Sequence, residues 1–141
     1  MKPVIRNLLI LEVILGVVGG LIGLYMYNKK SPDLSKAKAD FTLNITELVS
    51  EFNQDETSAS AKYIDKIVEV TGPVSAIEVT GETTMNVTLA DEGQMSGVIC
   101  SFQDIANPAS VGINKGETIT VRGICSGMLM DVLLIDCVIV K

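Results

Sequence analysis

Residues 62–79 read KYIDKIVEVTGPVSAIEV, and this stretch decides the fold. Val68, Val70 and Val74 share one face of an extended chain, with Glu69, Thr71 and Ser75 on the other. Period-two alternation is the signature of a half-buried strand. Gly72-Pro73 interrupts the middle. Proline gives no hydrogen to a ladder and glycine accepts unusual dihedrals, so a bend or bulge is predicted there. Beyond it the apolar phase changes, with Ile77 and Val79 in the opposite parity. One long strand bent in its middle can serve two sheets at once, as a small closed barrel requires.

Downstream, four more strands follow. Thr84 to Ala90 carries Met85, Val87 and Leu89 inward, and Gly97 to Phe102 carries Val98, Cys100 and Phe102 on one face. Asp104 to Gly112 reads as a non-strand connection with a short helix broken at Pro108. Thr118 to Cys125, with Ile119 and Val121 inward, and Asp131 to Val140 complete the set, joined by a turn over Gly127 to Met130. Five strands with a helical connection between the third and fourth is the order of an OB barrel. The fold class expected is mainly β: a five-stranded OB-like barrel with a preceding α-helix and one N-terminal transmembrane helix. The leading helix starts at Asn44-Ile45-Thr46-Glu47, a capping box, and runs to about Lys62 with a break near Asn53. Ile45, Leu48, Val49 and Phe52 form its apolar stripe, and Ala59, Ala61 and Tyr63 extend it.

The N-terminus is a different material. Between Arg6 and Lys29 lie 22 residues with one charge, Glu12. As a helix rising 1.5 Å per residue, such a run spans about 30 Å of hydrocarbon. Tyr25 and Tyr27 fall at an interfacial belt and Lys29-Lys30 close the span. The segment ends without a small-residue cleavage site, so it reads as an uncleaved anchor, residues 1–30. Ser31 to Asp40 is polar; residues 31–42 are expected to be a linker and 43–141 the barrel domain with its helix. Glu12, Gly16, Gly19, Gly20 and Gly23 cluster within about 100° of helical arc. Small residues let membrane helices approach, and an ionisable group in lipid faces a partner or water. That face is the candidate contact for a homo-oligomer or a membrane-protein partner.

Composition excludes several chemistries. The chain has no His, which removes His-based acid–base work, a His-containing triad and His metal sites. After Ser60 five cations face ten carboxylates, net −5, which argues against a phosphate-binding face and so against nucleic acid. No catalytic residues, cofactor or metal site are expected, and the chain does not read as an enzyme. Glu51, Asp55 and Glu56 form a solvated helix face, lacking the ligand spacing of a calcium loop. Asn44-Ile45-Thr46 and Asn86-Val87-Thr88 match glycosylation sequons, the first doubling as a helix cap.

KYIDKIVEVTGPVSAIE, VTLADEGQMSGVICSF and NKGETITVRGICSGMLMDVLLIDCVIV together resemble the tRNA-anticodon-binding-like OB-fold family (tRNA_anti-like), over roughly Leu43 to Val140. Leu48, Phe52, Tyr63, Lys66 and Val70-Thr71-Gly72 carry the first part of the likeness. Cys100 with Phe102, Gly116, Val121, Gly123, Cys125, Gly127 and Asp136-Cys137 carry the rest. These are largely scaffold positions, so the resemblance implies fold more than ligand. Members are often exported or lipid-anchored. No Cys follows the apolar run closely, so a lipid-modified N-terminal Cys does not carry over. The resemblance favours a cytoplasmic N-terminus with the barrel outside the cytoplasm, periplasmic in a Gram-negative cell. The alternative is a cytoplasmic barrel, which the count of Lys29, Lys30, Lys36 and Lys38 after the span prefers.

OB strand order puts the fifth strand between the third and fourth, so Cys137 would lie beside Cys100 or Cys125. Either disulfide is open outside the cytoplasm, and three buried thiols is the alternative. OB barrels commonly bind on the face of the second and third strands and its loops. Here that face would be Thr84, Asn86, Thr88, Ser96, Ile99 and Ser101, with loops 79–82 and 91–96. The function expected is a membrane-anchored binding or interaction module for a protein, peptide or glycan. Single-stranded nucleic-acid binding is the alternative, against which stand the net negative charge and the absence of strand aromatics other than Phe102.

Overall fold

The computed structural model describes residues 2–28 and 33–140. Lys29, Lys30, Ser31 and Pro32, assigned above to the end of the span and the start of the linker, lie outside those residues. The chain divides into two compact units, Met1–Ser31 and Pro32–Lys141.

The first unit is one helix, α1 (Pro3–Asn28), 26 residues long, whose most apolar 18 residues have a mean hydropathy of 2.4, long and apolar enough to cross a membrane. It buries none of its residues, and apart from the helix's own backbone no atom lies within 4 Å of where a side chain at Gly16, Gly19, Gly20 or Gly23 would begin.

The second unit is a closed five-stranded barrel with a sixth strand and two helices against it. Strand β1 (Phe41–Asn44) leads into α2 (Ile45–Gln54) and α3 (Glu56–Tyr63). The barrel strands are β2 (Ile67–Val79), β3 (Met85–Leu89), β4 (Val98–Phe102), β5 (Thr118–Met128) and β6 (Val132–Val140). Their spatial order is β2-β3-β4-β6-β5, and β5 returns to β2 to close the ring. The connection from β4 to β5 contains one short 3-10 turn, Pro108–Ser110.

β2 serves two partners. Ile67 to Pro73 pair with β5, and Val74 to Val79 pair with β3. The bend expected at Gly72-Pro73 is displaced. Pro73 is the last residue of β2 paired with β5, and the register slips one step later, between Val74 and Ala76. Beyond the slip Ile77 opposes Val87 and Val79 opposes Met85, but both side chains stay exposed, at 39% and 53%. Gly72 has another task. A Cβ there would sit 2.7 Å from Ile45 Cδ1, so the missing side chain lets α2 close onto the barrel.

The capping box forms as its sequence predicts. Asn44 Oδ1 accepts from Glu47 N at 2.8 Å and Glu47 Oε2 accepts from Asn44 N at 3.3 Å. The helix breaks at Asp55, which ends α2 and caps α3 through Ser58 N. Ile45, Leu48, Val49 and Phe52 are buried with Ala59 and Tyr63. Ala61 is exposed, contrary to the expected stripe, because it lies two residues, about 200° of helical arc, from both Ala59 and Tyr63.

The expected linker over 31–42 is in part structure. Leu34 is buried, and Phe41 and Thr42 belong to β1, which pairs in parallel with Val68 to Thr71. Asp40 N donates to Ile67 O at 2.8 Å and Asp40 Oδ2 accepts from Ile67 N at 2.9 Å. The phenyl ring of Phe41 stands edge-on to Tyr63, centroids 4.9 Å apart. Arg122 fastens the segment before β1. Its guanidinium donates to Glu69 Oε2 at 2.9 and 3.1 Å and to Leu34 O at 2.9 Å.

Candidate functional site

β3 and β4 alternate strictly, with Met85, Val87, Leu89, Val98, Cys100 and Phe102 buried. Asn86, Thr88, Ile99 and Ser101 therefore face outward together. Asn86 opposes Ser101 and Thr88 opposes Ile99. The row continues across the sheet, where Ile99 opposes Leu133 on β6 and Leu133 opposes Gly127 on β5. Four of the six residues anticipated for a ligand face are thus contiguous.

The other two lie apart from that row. Thr84 closes the turn after β2: its carbonyl accepts from Thr80 N at 3.1 Å and its hydroxyl from Thr80 Oγ1 at 3.0 Å. Ser96 lines a separate polar recess of about 410 Å³ with Thr46, Asn53, Gln54 and Gln94.

At the β6 end of the row lies an apolar groove of about 640 Å³. Ile64, Ile99, Met128, Leu129, Met130 and Leu133 supply its walls, and Glu56 and Asp131 stand among its lining residues. Gly127 contributes bare backbone to the lining. Gly127 has φ +123, a conformation L side chains rarely adopt, and a Cβ there would lie 3.6 Å from Ile64 Cδ1. The hairpin tip Leu129-Met130 projects into solvent, the two residues 98% and 82% exposed. The tip is held at its base: Asp131 Oδ1 accepts from Gly97 N at 2.7 Å and Gly97 O accepts from Val132 N at 3.0 Å.

Ile99 alone of these walls is legible from the OB pattern. Leu129 and Met130 carry one overlooked signal: Met128-Leu129-Met130 places an apolar triplet at a hairpin turn, where polar residues are usual.

The cysteines are buried free thiols. Leu134 opposes Cys100 on one side and Cys125 on the other, so it stands between them. Cys137 reaches the interior because Asp136 takes a left-handed φ of 52, which turns the next residue inward. Its Sγ donates to Leu134 O at 3.3 Å and rests where a side chain at Gly123 would begin. Burial pushes the Cys137 thiol far up, and the neighbouring Cys100 thiol adds to the shift. Burial also raises Cys125. Thiols held protonated in this way are poor nucleophiles. Among the described residues no cluster of three or more Cys, Asp or Glu could hold a metal ion.

No curated protein sequence matches the chain. A solved structure from Klebsiella pneumoniae subsp. pneumoniae, provisionally described as a nucleic acid-binding lipoprotein, is similar to it in fold. It superposes with a TM-score of 0.59 over 71% of this chain and 91% of its own, at 21% identity. The tRNA_anti-like family model matches residues 1–139. The barrel order, the split pairing of β2 and that match together place this chain in the tRNA_anti-like family.

Proposed function

We propose that the chain is a membrane-anchored OB binding module whose ligand, a protein, peptide or glycan, docks on the β3–β4 face and the groove beside it. The groove carries the reading. It lies where OB barrels commonly bind, at the outward sheet face and the loop between the last two strands. Its lining residues include two carboxylates and no Lys or Arg. A phosphate backbone meets no countercharge there, and no aromatic ring offers a base a stacking platform.

The name of the Klebsiella neighbour favours the second reading, a single-stranded nucleic acid on the same face. A photo-reactive phenylalanine at Leu129, with Asn114 as control, separates the two in native membranes. Adducts specific to Leu129 that survive nuclease and yield to protease or glycosidase are expected. Nuclease-sensitive adducts would establish the second reading, and no adduct would remove the groove as a site.

α1 supplies the anchor, with its glycine face as the contact for a second copy or another membrane protein. Loss of cross-linked dimer in Glu12→Leu is the expected sign. The barrel is placed outside the cytoplasm, and activity of a phosphatase fused after Lys141 tests that side.

A further inference from the structure

If the groove is the ligand site, its chemistry narrows the ligand further. We infer that it receives a polypeptide segment that inserts one long aliphatic side chain and sets a lysine or arginine beside it.

Two features point to a side chain as the guest. The walls are branched and thioether side chains, Ile64, Ile99, Leu133 and Met128, without an aromatic ring among them. Sugars and bases are commonly held by stacking on aromatic faces, whereas methionine-rich surfaces adapt to aliphatic side chains of varied shape. Gly127 adds bare backbone to the lining, and Ile64 Cδ1 stands 3.6 Å from where its side chain would begin. About 640 Å³ holds a few side chains rather than a folded surface. Leu129 and Met130, lining residues that are almost fully exposed, offer apolar surface for an inserted chain to cover.

Charge then selects the guest's neighbour. Glu56 stands on α3 and Asp131 at the foot of the hairpin, where its bond to Gly97 N fixes the carboxylate. No cation among the lining residues offsets them. An anionic guest, whether an acidic peptide or a phosphate headgroup, meets repulsion, while a cation next to the inserted chain meets two carboxylates.

The full chain, held in nanodiscs of neutral phosphatidylcholine, is panned against a random 12-residue peptide phage library. Peptides with Leu, Ile or Met within three positions of Lys or Arg are expected to be enriched at least ten-fold over acidic ones. The double substitution Leu129→Ser/Met130→Ser abolishes that enrichment, and Glu56→Lys, on an exposed helix face, shifts it toward acidic peptides. Acidic or uncharged peptides that still depend on Leu129 and Met130 would overturn the guest's chemistry and leave the groove standing. Enrichment indifferent to both variants would overturn the groove itself. No enriched peptide would overturn the polypeptide class.

Discussion

Ile45 occupies the space that a side chain at Gly72 would need, its Cδ1 2.7 Å from the position of the missing Cβ. Helix and barrel meet through this contact, at a residue expected from sequence to serve a bend. Gly72→Ala is expected to destabilise the domain by about 1–3 kcal/mol through overpacking. Ile45→Ala alone costs about 2–5 kcal/mol as a cavity. The double variant should cost clearly less than the sum, since each change relieves the other. Urea unfolding of the four proteins tests this coupling.

Arg122 and Glu69 oppose each other across β5 and β2, with side chains only 14% and 18% exposed. Arg122→Met leaves a mostly buried carboxylate alone and releases the Leu34 carbonyl. A loss of about 3 kcal/mol is expected. Replacing Glu69 by Met as well should recover most of it. Tryptic cleavage after Lys36 and Lys38 should be faster in the single variant, because the segment before β1 loses its fastening.

The buried thiols give the domain an alkaline limit. Cys125 and Cys137 are raised above the ordinary 9.0, chiefly by burial. Unfolded thiols ionise as pH passes 9.0 while folded ones keep their protons. Their contribution is therefore complete below 9.0 and lost as pH rises above it. Tyr63, raised from 10.0 by burial, adds a loss of the same sign at higher pH. Stability measured from pH 8 to 10.5 should fall, and Cys125→Ala/Cys137→Ala should flatten the early part of that fall.

Asp136 holds a φ of 52 so that Cys137 can face inward. Asp136→Val should cost about 1–2 kcal/mol, as left-handed backbone does for residues other than glycine and asparagine-like ones. Asp136→Gly should be close to neutral. Thermal unfolding of both variants checks the difference.

Leu129 and Met130 contribute little to folding if their exposure is the guide. Leu129→Ser/Met130→Ser should change stability by no more than about 0.5 kcal/mol. A large loss would mean that the hairpin tip packs in solution.

The barrel was readable because its strands alternate so regularly. Met85, Val87 and Leu89 against Asn86 and Thr88 leave one choice of inner face. The helix start was readable because Asn44 and Glu47 satisfy each other locally. β1 was not, since Phe41-Thr42-Leu43 offers a single alternation and its partner lies far along the chain. The site was half legible. Asn86, Thr88, Ile99 and Ser101 follow from strand parity alone. The groove depends on Ile64, Met128 and Leu133 converging from three elements, and no local pattern announces such a meeting.

The divided strand β2 also sets an order of events. Val79 meets Met85 across a short turn, but Thr71 reaches Thr120, 49 residues on, to bring their hydroxyls within 2.8 Å. Distant pairings are slow, because the intervening loop must be closed before contacts reward it. A chain still emerging from the ribosome has β2, β3 and β4 as an open meander, with ladder edges bare. It cannot complete the ring until β5 and β6 are made and β5 returns to β2. The apolar helix α1 precedes β2 in the chain, so it emerges first and the ring closes behind it.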